Sequence, residues 1–225
     1  MNFVGPPNLT ELACQACTAA QFRQEHFIRW IGAAGLEPHF HRQQWELAFV
    51  LRALESSGQM AHGRLGLGLG NGLPLVASLV ARSGAHVETT PWSDLPDSAA
   101  SRDFLWSCSL AGHLGSVAAG LDYLLRSLDA LKPGGIAVHT FDFNVSSDVL
   151  TLESATVSLL RRCDVLELQS RLMAQGHAML PLNFATGQLP EDQYVDQPPY
   201  VQATHLKLQI DAYVVTSFGV VIRKG

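Results

Sequence analysis

Two patterns of apolar residues divide the chain at about residue 60. Before that point, apolar side chains recur at helical spacing over 9–31 and again over 43–57, which predicts two helices. Both segments precede the first predicted strand. We therefore expect an N-terminal helical cap, residues 1–60, over the carboxyl edge of a sheet that belongs to a second domain, residues 61–225.

From residue 61 onward, short apolar strands alternate with helices. The predicted strands are 64–69, 86–90, 103–107 and 136–141, and the predicted helices are 74–83, 116–131 and 165–175. Strand-like stretches at 177–182, 206–210 and 213–222 end the chain, with a Pro-rich loop at 181–199 among them. This alternation predicts an α/β fold built on a parallel sheet.

Leu and Gly alternate through 65–72, and Pro74 follows where a helix can begin. The pattern predicts a short buried strand that runs through a glycine-rich turn into a helix. In doubly wound α/β proteins such a corner binds a phosphate or nucleoside, because backbone approaches the ligand and the helix N-terminus offers free N–H groups. The same glycines also let a strand and a helix pack closely without any ligand. The candidate contacts are Gly66, Gly68, Gly70, Asn71 and Gly72.

Charge and cysteine content exclude several classes of protein. The formal net charge is −5 and only 16% of residues are charged, so no basic field invites nucleic acid. We find no apolar run of membrane-spanning length and no signal-peptide pattern at the N-terminus, and we expect a cytoplasmic protein. Cys14 and Cys17 form a lone C-x-x-C on the first predicted helix, which indicates packing rather than a zinc or redox site.

Polar side chains that suit proton transfer follow two of the predicted strands. His113 comes after the third strand, and an imidazole titrates near neutral pH, as a general base requires. His139 lies in the fourth strand, and Asp142 and Asn144 come just past it, where they suit the binding of acceptor hydroxyl groups. Each also has a structural alternative as a helix cap, a packed side chain or a turn cap.

The segment before the sheet carries further candidates. His39, His41 and Glu46 offer usable metal ligands, but they lack a fixed ligand spacing, so we expect no metal site. Trp45 suits stacking on a substrate ring, although an aromatic residue at helical spacing is more often part of the core.

In their order, these motifs resemble the class I S-adenosylmethionine-dependent methyltransferases. The similarity rests on the glycine-rich turn 66–72, the Leu-Lys-Pro-Gly-Gly turn 131–135 and the final strands through 217–223, which form an antiparallel hairpin in that family. The stretches HRQQWE (41–46), HLGS (113–116), HTFDFN (139–144) and HLKL (205–208) are similar to a bacterial subgroup associated with glycan or secondary-metabolite genes. The resemblance covers nearly the whole chain from Pro38 onward.

This resemblance implies a Rossmann-like α/β sandwich and a cofactor, S-adenosylmethionine. It implies methyl transfer to an oxygen or nitrogen of a small molecule or sugar. The implied cofactor-binding residues are Gly66, Gly68, Gly70, Asn71, Gly72, Asp94, Ser107 and Cys108. The implied catalytic residues are His113, His139 and Asp142, and the implied substrate contacts are His41, Trp45 and Asn144.

Three positions depart from the family pattern. Pro91 stands where the family has an acid that binds the ribose hydroxyls, and Asp94 lies three residues too late. Too few residues separate Thr90 from Asp103 for the family's third strand and its helix, so we expect that strand to be absent. Gly112 replaces an acidic residue before His113.

These departures leave other functions open. One is a catalytically degenerate subunit that acts as a scaffold in a hetero-complex. The deleted element would uncover an apolar sheet face, which a homo- or hetero-oligomer would bury. A nicotinamide-dependent oxidoreductase is a weaker alternative, since it also needs an acid at the end of the second strand.

Overall fold

The computed structural model describes residues 5–70, 74–94 and 101–225. The helices are α1 (Glu25–Ala33), α2 (Arg42–Ser56), α3 (Pro74–Ala81), α4 (Val117–Ser127), α5 (Arg162–Ala174) and α6 (Pro190–Gln193). The strands are β1 (Cys14–Ala16), β2 (Leu65–Leu69), β3 (His86–Thr90), β4 (Arg102–Ser107), β5 (Leu131–Asn144), β6 (Ala178–Met179), β7 (Leu182–Asn183), β8 (Val195–Asp196), β9 (Lys207–Ile210) and β10 (Tyr213–Arg223). Short 3₁₀ turns cover Ala19–Arg23, Trp92–Asp94, Ala111–His113 and Leu128–Ala130.

The strands form one mixed sheet in the order β3-β2-β4-β5-β10-β1-β7. The first four are parallel to one another, and β10 runs antiparallel to β5. Strands β6 and β9 also pair antiparallel with β10. The predicted Rossmann-like α/β fold with an antiparallel closing strand is confirmed.

Helices cover both faces of the sheet and divide the core into two apolar clusters. On one face, α1, α2 and α3 enclose a cluster that includes Phe49 and Phe104. On the other, α4 and α5 pack over a cluster that includes Leu105, Leu124 and Leu168. Central parallel strands covered on both faces are expected to be apolar, and the middle segments 104–106 of β4 and 136–138 of β5 are apolar and buried.

The N-terminal segment differs from the prediction of a helix over 9–31. Cys14–Ala16 forms strand β1, which lies between β10 and β7, and α1 begins only at Glu25. Cys14 and Cys17 are buried and free, and burial raises the pKa of the Cys14 thiol to about 12. The cysteines therefore pack, as expected, but in and beside a strand rather than on a helix.

Helix α2 packs along β5 and β10 on a sheet face, rather than over the carboxyl edge as the cap prediction has it. Its first residue, Arg42, contacts Asp142 at the carboxyl end of β5. The first 60 residues thus share one apolar cluster with the sheet, across the predicted domain boundary.

In the described ranges the sheet ends at β3, and no strand lies beyond it. The predicted exposed apolar face is not found there, because β3 presents no exposed large apolar side chain. Instead, Glu88 of β3 pairs with Arg102 of β4 at 2.6 Å. A charged edge of this kind discourages pairing with another strand. As far as the structure is described, no helix is both long and apolar enough to cross a membrane.

Candidate functional site

Two glycines of β2 make room for aromatic rings of the neighbouring strand. A Cβ on Gly66 would lie 2.2 Å from Cζ of Phe104, and one on Gly68 would lie 2.7 Å from Cζ2 of Trp106. Gly66 and Gly68 are buried within the sheet, and both rings belong to the cluster beneath α2 and α3. The structure therefore gives these two glycines the packing role that was the alternative to cofactor contact.

Gly70 directly follows β2 at the carboxyl edge and has a positive φ of 79°, a conformation that favours glycine. Its N–H donates to the Thr90 carbonyl at 2.8 Å, and a Cβ would lie 3.1 Å from Cδ2 of Leu110. The glycine-rich turn is therefore covered by Leu110 at this point. Asn71 and Gly72 lie outside the described residues, and Asp94 ends the 3₁₀ turn after β3.

A cavity of about 480 Å³ opens beside α4. It is lined by Trp92, Ser93, Leu114, Ala119, Asp122, Tyr123 and Arg126. Because Trp92 follows β3 and Leu114 follows β4, the cavity begins at the carboxyl edge, where parallel sheets bind ligands. Trp92 is 45% exposed and offers a stacking surface, while Arg126 forms no ion pair with any described residue. An aromatic plane beside charged side chains suits a polar heterocycle.

His113 lies in the 3₁₀ turn that follows β4, next in sequence to the cavity residue Leu114. Its Nδ1 is 2.6 Å from the backbone carbonyl of Thr156. A carbonyl only accepts, so Nδ1 carries the proton of the neutral ring and Nε2 keeps the lone pair. This tautomer is the one that a general base at Nε2 requires.

The Gly112 departure has a local cause. A Cβ there would lie 2.8 Å from the backbone oxygen of Ser158, whose N–H in turn donates to the Gly112 carbonyl at 2.6 Å. The segment between β5 and α5 therefore lies against the turn after β4. An acidic side chain at 112 would displace it.

Buried charged groups join α2 to the carboxyl ends of the central strands. Arg42 forms an ion pair with Asp142 and donates to Ser217 Oγ at 3.2 Å. Glu46, one turn later, accepts from Thr140 at 3.0 Å and Ser217 at 2.5 Å. Burial raises the pKa of Glu46. The Asp142 carboxylate is thus engaged with Arg42, which does not favour its predicted role as a proton acceptor.

This cluster is not predicted from the sequence, where Glu46 was a candidate only as a metal ligand. The available signal was a basic and an acidic residue four apart at the start of α2, Arg42 and Glu46. In the part of the chain that is described, no group of three or more His, Cys, Asp or Glu side chains is placed to hold a metal ion.

His139 is completely buried, and both ring nitrogens have partners. Nδ1 lies 2.7 Å from Ser107 Oγ and Nε2 lies 3.1 Å from Ser127 Oγ. Burial lowers the pKa of His139 to about 3, so the ring is neutral. Cys108 is also buried, and burial raises the pKa of its thiol. His139 and Ser107 therefore link β5 to β4, and Cys108 packs in the core. His139 does not fit the predicted catalytic role.

The predicted substrate contacts have structural partners. Trp45 is fully buried and stacks on Phe49 at 4.9 Å. Asn144 holds the turn after β5, since its side chain accepts from Ser146 N at 2.9 Å and donates to the Leu150 carbonyl at 3.0 Å. Trp45 is therefore core and Asn144 a turn cap.

His41 caps the start of α2 and stacks on His205, with ring centroids 4.8 Å apart. Nδ1 of His205 lies 2.6 Å from Asp196, a buried carboxylate that also accepts from the backbone of Val201 and Gln202. Burial lowers the pKa of His41 to about 4. His41 and the 205–208 stretch were candidates from the sequence, whereas the Asp196 carboxylate that contacts His205 was not.

No protein-family model and no curated protein sequence matches the chain. Among solved structures, the chain is similar to one provisionally described as a sarcosine dimethylglycine methyltransferase from Galdieria sulphuraria, at 13% identity and a TM-score of 0.48, over 90% of this chain and 99% of that one. It is also similar to the CcbJ methyltransferase from Streptomyces caelestis, at 10% identity and a TM-score of 0.46, over 77% of this chain and 94% of that one. The chain is also similar to a protein provisionally described as a zinc-dependent alcohol dehydrogenase from Rhodobacter sphaeroides. The identity is 10% and the TM-score 0.47, over 77% of this chain and 89% of that one.

Similarity at this level says nothing of activity. The topology itself is more specific. The sheet has the parallel order and the antiparallel closing strand that the sequence resemblance implies. The chain has a Rossmann-like α/β fold.

Proposed function

We propose that this protein is an S-adenosylmethionine-dependent methyltransferase that acts on an oxygen or nitrogen of a small molecule or sugar. The observation that supports this most is the cavity at the carboxyl edge beside α4, with His113 in the turn next to it. The fold and the sequence resemblance agree with this activity, and the acceptor's identity is open to a screen.

The described residues fit one end of the proposed cofactor better than the other. Trp92 offers a stacking plane for the adenine ring, and Asp122 and Arg126 line the same cavity. Pro91 provides neither a carboxylate nor an N–H for the ribose hydroxyls. The candidate contacts for the methionine end, Asn71 and Gly72, lie outside the described residues. S-adenosylmethionine supplies an electrophilic methyl group when bound.

In this proposal His113 removes the acceptor's proton. The Thr156 carbonyl holds the Nδ1 proton and leaves the Nε2 lone pair for the substrate. The remainder of catalysis is positioning of the acceptor for in-line attack, which by itself lowers the barrier by several kcal/mol, about 7 or more in well-oriented systems.

The alternative is a catalytically degenerate subunit that works as a scaffold in a hetero-complex. Two observations favour it. The Leu110 side chain lies against Gly70, and Arg42 forms an ion pair with the Asp142 carboxylate. At these two positions of the carboxyl edge, groups that could contact a ligand are engaged by the chain itself. The charged edge at Glu88 and Arg102 speaks against a partner that pairs with β3.

Calorimetric titration with S-adenosylhomocysteine distinguishes the two. We expect micromolar binding to the unmodified protein, weakened at least tenfold by Ala119→Phe, which fills the cavity from α4. Ala118→Phe is the matched control, because Ala118 is exposed on the same helix and does not line the cavity.

Absence of binding to the folded, unmodified protein would favour the scaffold. Binding that Ala119→Phe leaves unchanged would place the cofactor outside this cavity.

A further inference from the structure

A second cavity, of about 340 Å³, lies at the opposite edge of the sheet. It is bounded by the C-terminal turn of α2, the early part of β5, the end of β10 and strand β6. Because β10 is antiparallel to β5, its last residue Arg223 pairs with Ile136 at this amino edge. The cavity is therefore separate from the one beside α4.

The walls of this amino-edge cavity are mostly apolar. Ile136, Met179, Leu180 and Val221 contribute aliphatic surface. The hydroxyl of Ser57 donates to the Ala53 carbonyl at 2.7 Å, and the Leu180 N–H donates to Val221 at 3.0 Å. These polar groups are satisfied within the protein, so the wall suits a hydrocarbon.

A single cation lies among the lining residues. Arg223 is exposed and forms no ion pair with any described residue. Lys224, the next residue, donates to the Leu131 carbonyl, and nearby Lys132 and Arg64 share the one carboxylate of Asp103. This edge is thus positively charged in a chain whose net charge is −5.

We propose that the amino-edge cavity binds a small aliphatic carboxylate, with the hydrocarbon tail against Ile136, Met179 and Val221 and the carboxylate on Arg223. An apolar pocket with one well-placed charged group is the usual design of a site for an amphipathic ligand. A guanidinium matches a carboxylate through two parallel hydrogen bonds. This site is independent of the proposed methyl transfer.

Calorimetric titration with octanoate, below its micelle concentration, tests the proposal. Octanoate binds the unmodified protein, 1-octanol binds at least tenfold more weakly, and acetate does not bind. Arg223→Gln weakens octanoate at least tenfold and leaves 1-octanol unchanged, because only the charged contact is lost. Ala178→Phe fills the cavity from β6 and abolishes both.

Arg82→Gln is the matched control, since Arg82 is exposed directly after α3, does not line this cavity and donates from its guanidinium to the Ala33 carbonyl. It binds octanoate like the unmodified protein. The circular dichroism spectrum of each variant verifies folding. No octanoate binding, or equal binding to the unmodified protein and Arg223→Gln, overturns the proposal. If acetate binds as tightly as octanoate, the proposed contact between the hydrocarbon tail and the apolar wall is overturned.

Discussion

The ring of Phe104 lies directly over Gly66 of the adjacent strand, where a Cβ would come within 2.2 Å of Cζ. The two residues pair in register between β2 and β4. The glycine pattern that indicates a ligand-binding turn therefore serves, at this position, to seat a large ring in the core. The remaining candidate ligand contacts in this pattern are those from Gly70 onward.

This contact predicts that Gly66→Ala destabilises the protein by about 1–3 kcal/mol, the usual cost of overpacking a core. Phe104→Leu removes the clashing atoms, so the cost of Gly66→Ala should fall in that background. Urea unfolding of the two single variants and the double variant measures the coupling.

Gly32→Ala is the control, because nothing lies within 4 Å of a Cβ there. In a helix it should raise stability by about 0.5–1 kcal/mol. Equal costs for Gly66→Ala in both backgrounds would contradict the packing role.

The raised pKa of Glu46 predicts a pH dependence of stability. The folded state holds the Glu46 proton more tightly than the unfolded chain does, because burial disfavours the carboxylate. Its contribution is present below the ordinary carboxyl pKa and is lost as pH rises through the folded value. Relative to the unmodified protein, Glu46→Gln should therefore gain stability as pH rises from 4 to 8.

Urea unfolding across that pH range measures the difference, with the exposed Glu37→Gln as control. A difference that is constant with pH would mean that Glu46 ionises equally easily in both states.

His139 predicts the opposite dependence. Its folded pKa of about 3 lies below the ordinary value of 6.5, so the unfolded chain binds the proton first as pH falls. The stability that it contributes is complete above 6.5 and declines toward 3, by up to about 1.4 kcal/mol per pH unit. The ring-proton NMR shift of His139 should stay constant from pH 8 to 5. A titration near neutral pH would restore it as a catalytic candidate.

His113→Gln tests the proposed proton acceptor. In an assay of methyl transfer from S-adenosylmethionine to a panel of sugars and hydroxylated small molecules, kcat should fall by about 10²–10⁴-fold. The affinity for S-adenosylhomocysteine should not change, since His113 does not line the cavity.

His86→Gln, on the exposed edge strand β3, is the matched control and should leave kcat unchanged. If His113→Gln alters stability and cofactor affinity but spares kcat, the residue is only a structural support for the 156–158 segment.

The prediction of a helix across Cys14–Ala16 was wrong for a reason that local pattern cannot overcome. Gln15 pairs with Gly219, more than 200 residues away. The apolar residues around Gln15 are compatible with either a helix or a short strand. Pairing with the partner strand decides between the two conformations. The site predictions at His139 and Trp45 failed in the same way, because burial depends on what packs across from a residue.

By itself the sequence determined the alternation of strands and helices from β2 to α5 and the glycine-rich turn after β2, because the periods and turn residues that specify them are local. The antiparallel closing strand was implied by the family resemblance. Only the tertiary structure decided which candidates lie beside the cavity and which lie in the core. Phe104 occupies the space over Gly66, Ser107 and Ser127 enclose His139, and the Thr156 carbonyl selects the tautomer of His113. Each of these partners lies at least twelve residues away along the chain, so the spacing of residues in the sequence does not reveal the contact.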